Sequence, residues 1–347
     1  MIRLTWALIA AAAGLLAAAG ARAGAIVDAA FVAEAARRGA ILWDVRSVPE
    51  YRKGHIPGAV TIGDAGSVLR DPNTEDFIAR DRIEKILGEA GIDLNKEIVV
   101  YGNRGSASAN FGRYALQYFG AKKAHVFHDG IEGWRAAGQP LSTEDQRLAP
   151  VKVTLAPNPA VSLTTQEMVA RLKNANVQVI DARTTKEYLG EDVRAIRGGH
   201  IPGALNIPYE QNWKDPDTPD KLARRQVADT AGMSLKSRDE LKQLYARLDP
   251  NKETVVYCQS GVRAAQTAQV LEDLGFNKVR VFDSSWLGYS ARLDAPADNE
   301  TFFNVGAMNS RMTALMRRVE DLERQLVEVR AAGAGQTGAV RCSAGQC

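Results

Sequence analysis

The sequence predicts an α/β protein. It has two copies of one unit, each an open, mostly parallel sheet with helices on both faces, followed by a C-terminal coiled-coil helix. Three observations predict this. Residues 41–62 recur at 177–208, and residues 97–120 recur at 253–276, so a unit of about 130 residues is used twice. Short, nearly all-apolar runs alternate with helical patterns inside each copy, the mark of parallel strands covered on both faces. Near the C-terminus, Met308, Met312, Leu315, Val319, Leu322, Leu326 and Val329 follow one another at spacings of 4 and 3, a heptad seam.

In chain order, residues 1–23 come first. Arg3 is followed by the uncharged apolar run 4–19, and Ala21-Arg22-Ala23 is a small-x-small site. This is the pattern of a secretory signal peptide cut after Ala23. The run is short for a retained membrane anchor. Export to a bacterial periplasm is expected. The formal net charge is +3, and losing Arg3 and Arg22 leaves +1, so charge gives no reason to expect nucleic acid as partner.

The first unit is read as 24–145, with strands at 41–43, 98–101 and 125–127. A linker rich in Pro, Ser and charge spans 146–160. The second unit is read as 161–300, with strands at 177–180, 255–257 and 279–282 and a helix over 263–274. It carries an eight-residue insertion before Gly199-His200 that the first unit lacks. Residues 301–331 form the helical segment. On its register Arg318 is a g position and Glu323 the following e, able to pair across parallel helices. Three heptads are marginal alone, so assembly through 308–329 draws on Phe302, Phe303 or the domains. The alternative is an amphipathic helix packed on its own domain. The tail 332–347 holds Cys342 and Cys347, which could close a small ring or link chains.

The third cysteine, Cys258, stands alone in the globular part. It sits where the run ending at Tyr257 meets the start of a helix. Cys258, Gln259, Ser260, Gly261, Val262 and Arg263 form the turn. Free amide groups and the helix dipole at such a mouth favour an anion, and Arg263 adds a full positive charge. Thiols in this setting are shifted toward thiolate. Gly261 permits positive φ. A buried structural cysteine is the bland alternative. The equivalent stretch of the first unit reads Gly102-Asn103-Arg104-Gly105-Ser106-Ala107, with glycine in the cysteine's place.

Three stretches carry a resemblance: Asp181-Ala182-Arg183, Gly199-His200-Ile201-Pro202-Gly203-Ala204 (doubled at 54–59), and the Cys258 loop. With them the chain resembles a tandem-domain rhodanese over roughly residues 25–295, a sulfurtransferase of the thiosulfate/3-mercaptopyruvate type. The resemblance implies two rhodanese-like domains and a ping-pong reaction. A small sulfur-donor anion leaves a persulfide on Cys258, and cyanide, a thiol or a protein sulfur acceptor removes it. Only the second domain carries the nucleophile. No cofactor is implied, and no His/Cys/Asp/Glu cluster has metal-like spacing. Asp181 and Arg183 are expected to hold loop geometry, and His200, like His55, to be structural. A second cation beside Arg263 is expected from Lys186 or Arg197. The loop, Gln-Ser-Gly-Val-Arg after the cysteine, copies neither the Arg-Lys-Gly-Val-Thr of thiosulfate enzymes nor the Gly-Ser-Gly-Val-Thr of mercaptopyruvate enzymes. The donor favoured is thiosulfate, with 3-mercaptopyruvate as the alternative. Two rivals stand beside this reading. One is a phosphatase, whose loop needs five residues between cysteine and arginine where this chain has four. The other is a carrier or scaffold without turnover, oligomerised by its C-terminal helix.

Overall fold

A computed structural model of the protein describes residues 24–337. The leader 1–23 and the tail cysteines Cys342 and Cys347 lie outside the described residues. Two parallel sheets form. The first has the spatial order Val60–Thr61, Ile41–Asp44, Glu97–Tyr101, Lys123–Phe127. The second has the order Ser162–Leu163, Val279–Phe282, Glu253–Tyr257, Val177–Asp181, Leu205–Asn206. The apolar runs form strands because both of their faces are covered. Ile98, Val99 and Val100 are all fully buried, as are Val255 and Val256. Two-residue edge strands were not anticipated: they are too short to leave a period in the sequence.

Each sheet has an outer core of its own, around Leu42, Tyr51 and Trp134 in one half and Ile201, Trp286 and Tyr289 in the other. A third cluster belongs to both halves and runs from Trp43 and Phe111 to Val256 and Ala268. At its centre the helix Ala107–Tyr118 packs on the helix Val262–Leu274. Small residues (Ala264, Ala265 and Ala268) line the second of these helices. Between the two helices, Gln269 Nε2 donates to the Asn110 carbonyl at 2.7 Å and Arg113 Nη1 meets Glu272 Oε2 at 2.7 Å. Fully burying one large apolar side chain here contributes about 1.5–3 kcal/mol.

The segment read as a linker is fastened to the first half. The Val151 and Ala156 amides donate to the Gly88 and Phe119 carbonyls at 2.9 and 3.1 Å, and Val153 and Leu155 are buried. The C-terminal helix runs Val305–Thr337. It starts later than the expected 301 because Thr301 and Phe302 belong to the strand Asp298–Phe302, which pairs antiparallel with Arg197–His200. Met308, Met312, Leu315, Val319, Leu322, Leu326 and Val329 are all exposed on this helix. Among the described residues, no helix is long and apolar enough to cross a membrane.

Candidate active site

Cys258 follows Glu253–Tyr257, the middle strand of the second sheet. It therefore lies at the carboxyl edge of a parallel sheet, where open α/β folds bind ligands. The loop turns because Gly261 takes φ +86°, which caps the helix Val262–Leu274. A Cβ there would also lie 2.7 Å from the Asp283 carbonyl oxygen, so only glycine fits.

Four consecutive loop carbonyls are engaged, three by other segments and the fourth by the helix that follows. The Cys258 and Gln259 oxygens accept from the Trp286 and Leu287 amides at 3.0 and 2.9 Å. The Ser260 oxygen accepts from Arg70 Nη1, and the Gly261 oxygen accepts from the Ala265 amide. The Cys258 amide donates to Ser285 Oγ at 3.1 Å. In contrast, the amides of Gln259, Ser260, Gly261, Val262 and Arg263 have no acceptor among the described residues. In a trans peptide the N–H points opposite the C=O. Carbonyls pinned outward therefore turn amides inward, which makes an anion-binding nest at a helix mouth. Cys258 itself is 1% exposed, with Gln259 and Ser260 buried beside it.

Arg263 is where the sequence places it, but its charge is engaged. Its guanidinium grips Glu187 with two bonds of 2.8 Å. Glu187 is buried, which opposes its charge. Arg263, with help from the Thr184 amide and Arg183, still holds its carboxyl down to about 2. Burial also opposes the Arg263 charge, yet Glu187 and the neighbouring Cys258 raise it above the usual value. Glu187 closes a capping box with Thr184 as well. The expected second cation is neither candidate. Arg197 is buried, its Nε and Nη2 donating to the Ser290, Arg292 and Ala295 carbonyls and its Nη1 meeting Glu300 at 2.5 Å. It ties down the chain after the second sheet. Lys186 is exposed, and its ammonium has no partner among the described residues. The residue that sequence reasoning missed is Arg194. Its Nη1 lies 3.2 Å from Glu187 Oε1 and its carbonyl accepts from Gln259 Nε2 at 2.9 Å. Its side chain is 52% exposed. Two guanidinium groups thus share one carboxylate and leave one positive charge over. Arg194 lies in the eight-residue insertion, and that insertion was the signal. Glu210 stands nearby, and burial pushes its carboxyl up, toward the neutral form.

The supporting residues hold the strand ends. Asp181 accepts from Arg183 Nε and Nη2 at 3.0 and 2.6 Å and from the Tyr257 hydroxyl at 2.6 Å, and Arg183 Nη2 also donates to the Gly199 carbonyl at 2.7 Å. His200 stacks on Tyr188 at 3.5 Å, with Nδ1 2.8 Å from the Tyr188 carbonyl. His55 repeats this on Tyr51.

The first half's loop is filled by the protein. The Arg104 amide donates to the Glu132 carboxylate at 2.7 Å, the Gly105 amide to the His128 carbonyl at 3.1 Å, and the Ser106 amide to Asn103 at 3.0 Å. Met233, from the other half, closes over Gly105, where a Cβ would lie 2.8 Å from its Cε.

Comparison with known proteins gives the chain's relatives. A thiosulfate sulfurtransferase of Corynebacterium glutamicum is 32% identical over 260 residues, covering 72% of this chain and 81% of that protein. One from Azotobacter vinelandii is 31% identical over 261 residues, covering 74% and 90%. Among solved structures, the wild-type structure of EanB superposes with a TM-score of 0.64 at 21% identity, covering 79% of this chain and 68% of that one, which speaks for the fold alone. The Rhodanese-like domain matches twice, at residues 28–137 and 164–292. With two such matches, one on each sheet, the chain belongs to the rhodanese family.

Proposed function

We propose that this chain is an exported sulfurtransferase that moves a sulfane sulfur from thiosulfate to cyanide or a thiol through a persulfide on Cys258. The Cys258 thiolate attacks the outer sulfur of thiosulfate. A new S–S bond forms, the donor's S–S bond breaks, and sulfite leaves with the electron pair. The acceptor then attacks the outer persulfide sulfur and Cys258 departs as thiolate. Each state puts negative charge at the loop centre, and donors aimed at such a point in a water-poor site stabilise it. The observation that carries the reading is the ring of inward amides at 259–263, left without acceptors while four loop carbonyls are engaged. The charge left over by Arg194 and Arg263 on Glu187 suits a doubly negative donor. The names of the relatives support the same chemistry.

The exposed seam of Val305–Thr337 is read as a parallel homo-oligomer contact with further copies of this chain. On this reading Arg318 pairs with Glu323 of a second copy.

The test is a donor panel of thiosulfate, 3-mercaptopyruvate and glutathione persulfide against cyanide and thiol acceptors, with intact-mass spectrometry of the protein. Thiosulfate should add one sulfur atom per chain and cyanide should remove it through many cycles. Loading once and then stalling would identify a carrier. Preference for 3-mercaptopyruvate would change the donor. A chain that gains no sulfur from any of the three would end the proposal.

A further inference from the structure

We propose that Arg70, a residue of the half without the nucleophile, is a positioning residue for the Cys258 loop. Arg70 follows the helix Ala65–Val68 and begins a turn closed by its bridge to Phe77. Its side chain is buried and crosses to the other half, where Nη1 donates to the Ser260 carbonyl. The guanidinium lies 5.0 Å from the centre of the Phe111 ring and 5.9 Å from that of Phe77. Nη2 stands 4.0 Å from Asp283 Oδ1.

Three details separate this contact from ordinary domain packing. First, it is under-satisfied. Arg70 Nε and Nη2 and Asp283 Oδ1 are buried without hydrogen-bond partners among the described residues. A buried charge with spare donors costs stability, so its presence at the loop points to a role other than stability. Second, it acts on a peptide plane of the ring. The bond between Ser260 and Gly261 is trans, so fixing the Ser260 oxygen fixes the direction of the Gly261 N–H. Asp283 lies against the same place, its carbonyl oxygen 2.7 Å from where a Cβ of Gly261 would stand. Third, the repeat supplies an internal control. The bridge Trp213–Leu235 repeats the bridge Arg70–Phe77, with the same flanking backbone bonds, and puts Trp213 at the position of Arg70 in the second half. Trp213 is buried and packs on the first half's loop, where a Cβ at Gly105 would lie 3.3 Å from its ring. Each loop is met from across by the other half, the one with the nucleophile by a guanidinium and the one without it by an uncharged indole.

Arg70 touches neither Cys258 nor the donor site among the contacts described, so its effect passes through the Gly261 amide. This inference rests on the proposed sulfur chemistry for one readout only. Arg70→Met removes the donor while keeping length and apolar packing, and Arg70→Lys keeps one donor able to reach the Ser260 oxygen. Removing a fixed donor from such a ring costs about 100-fold or more. A donor merely released to rotate should cost less, about tenfold. In Arg70→Met, kcat for thiosulfate and cyanide should fall about tenfold per folded chain with the thiosulfate KM unchanged, and Arg70→Lys should recover most of it. Alkylation of Cys258 by iodoacetamide, which needs no sulfur donor, should slow in Arg70→Met, with its pH profile displaced upward, and recover in Arg70→Lys. Circular dichroism and melting curves give the folded fraction. Slowed alkylation in a protein that transfers no sulfur would keep Arg70's role and reject the proposed reaction. Unchanged alkylation and kcat per folded chain, or losses that track the unfolded fraction alone, would overturn the role of Arg70.

Discussion

The two halves of the molecule carry the same loop on the same strand-to-helix junction and use it in opposite ways. In the second half, the amides of 259–263 have no acceptor among the described residues. In the first half, three of the five corresponding amides are consumed: Arg104 by Glu132, Gly105 by His128, Ser106 by Asn103. Glu132 occupies the sequence position of Leu287. A carboxylate belonging to the protein has taken the role of the bound anion, and Met233 covers what remains. Losing the cysteine is therefore only part of the difference. The first loop has been closed by its own neighbours.

The largest effect that could break this contrast is at the nucleophile. Cys258→Ser should lower turnover more than about a thousandfold with an unchanged melting curve, as followed by thiocyanate formation. Placing a cysteine in the other loop should not restore it. A Cβ at Gly102 would lie 3.0 Å from Ser106 Oγ, and the amides of Arg104, Gly105 and Ser106 are already bonded. The Gly102→Cys/Cys258→Ser protein should gain no sulfur by intact mass, and a gain of one would erase the distinction between the loops.

A medium effect is expected at Glu187. Glu187→Gln leaves Arg263 without its buried partner, at a cost of about 3 kcal/mol, read by urea unfolding at pH 7. The sign with pH follows from the depressed carboxyl. Its stabilisation is complete above the value of an unfolded glutamate and is lost as pH falls toward about 2. Wild type and Glu187→Gln should therefore converge in stability between about pH 5 and pH 2. A constant gap would mean that the pair does not hold the charge. The matching residue of the first half, Glu50, faces Asn103 at 3.2 Å and not an arginine, so Glu50→Gln should cost clearly less.

The smallest effect on chemistry should come from the third region. Ending the chain before Met308 should lower the mass seen by light scattering and leave kcat as it was. An unchanged mass would mean that the seam of Val305–Thr337 does not join chains.

Much of this was legible in the sequence because repetition and period are local signals. The paired stretches mark two units, and the apolar runs at 98–101 and 255–257 lie inside the strands Glu97–Tyr101 and Glu253–Tyr257. Gly261 announces the turn before its φ is known. What stayed hidden depends on long-range placement. Nothing about Arg197 as a letter says that three carbonyls after the second sheet will claim it. Nor does Arg194, half-way through an insertion, declare that it will stand beside Glu187. Arg263 was placed correctly, but its pairing with a residue 76 positions away was not visible. The crossing of Arg70 into the other half, 190 positions from Ser260, was equally out of reach.

The core shared by the helices Ala107–Tyr118 and Val262–Leu274 bears on the history of the duplication. Two copies that each own half of one interior cannot melt apart one at a time, and a calorimetric trace should show a single endotherm. Deleting the half without the cysteine would expose the back of the half that has it. Once such a merger is made, the silent copy is retained by folding, whatever becomes of its chemistry.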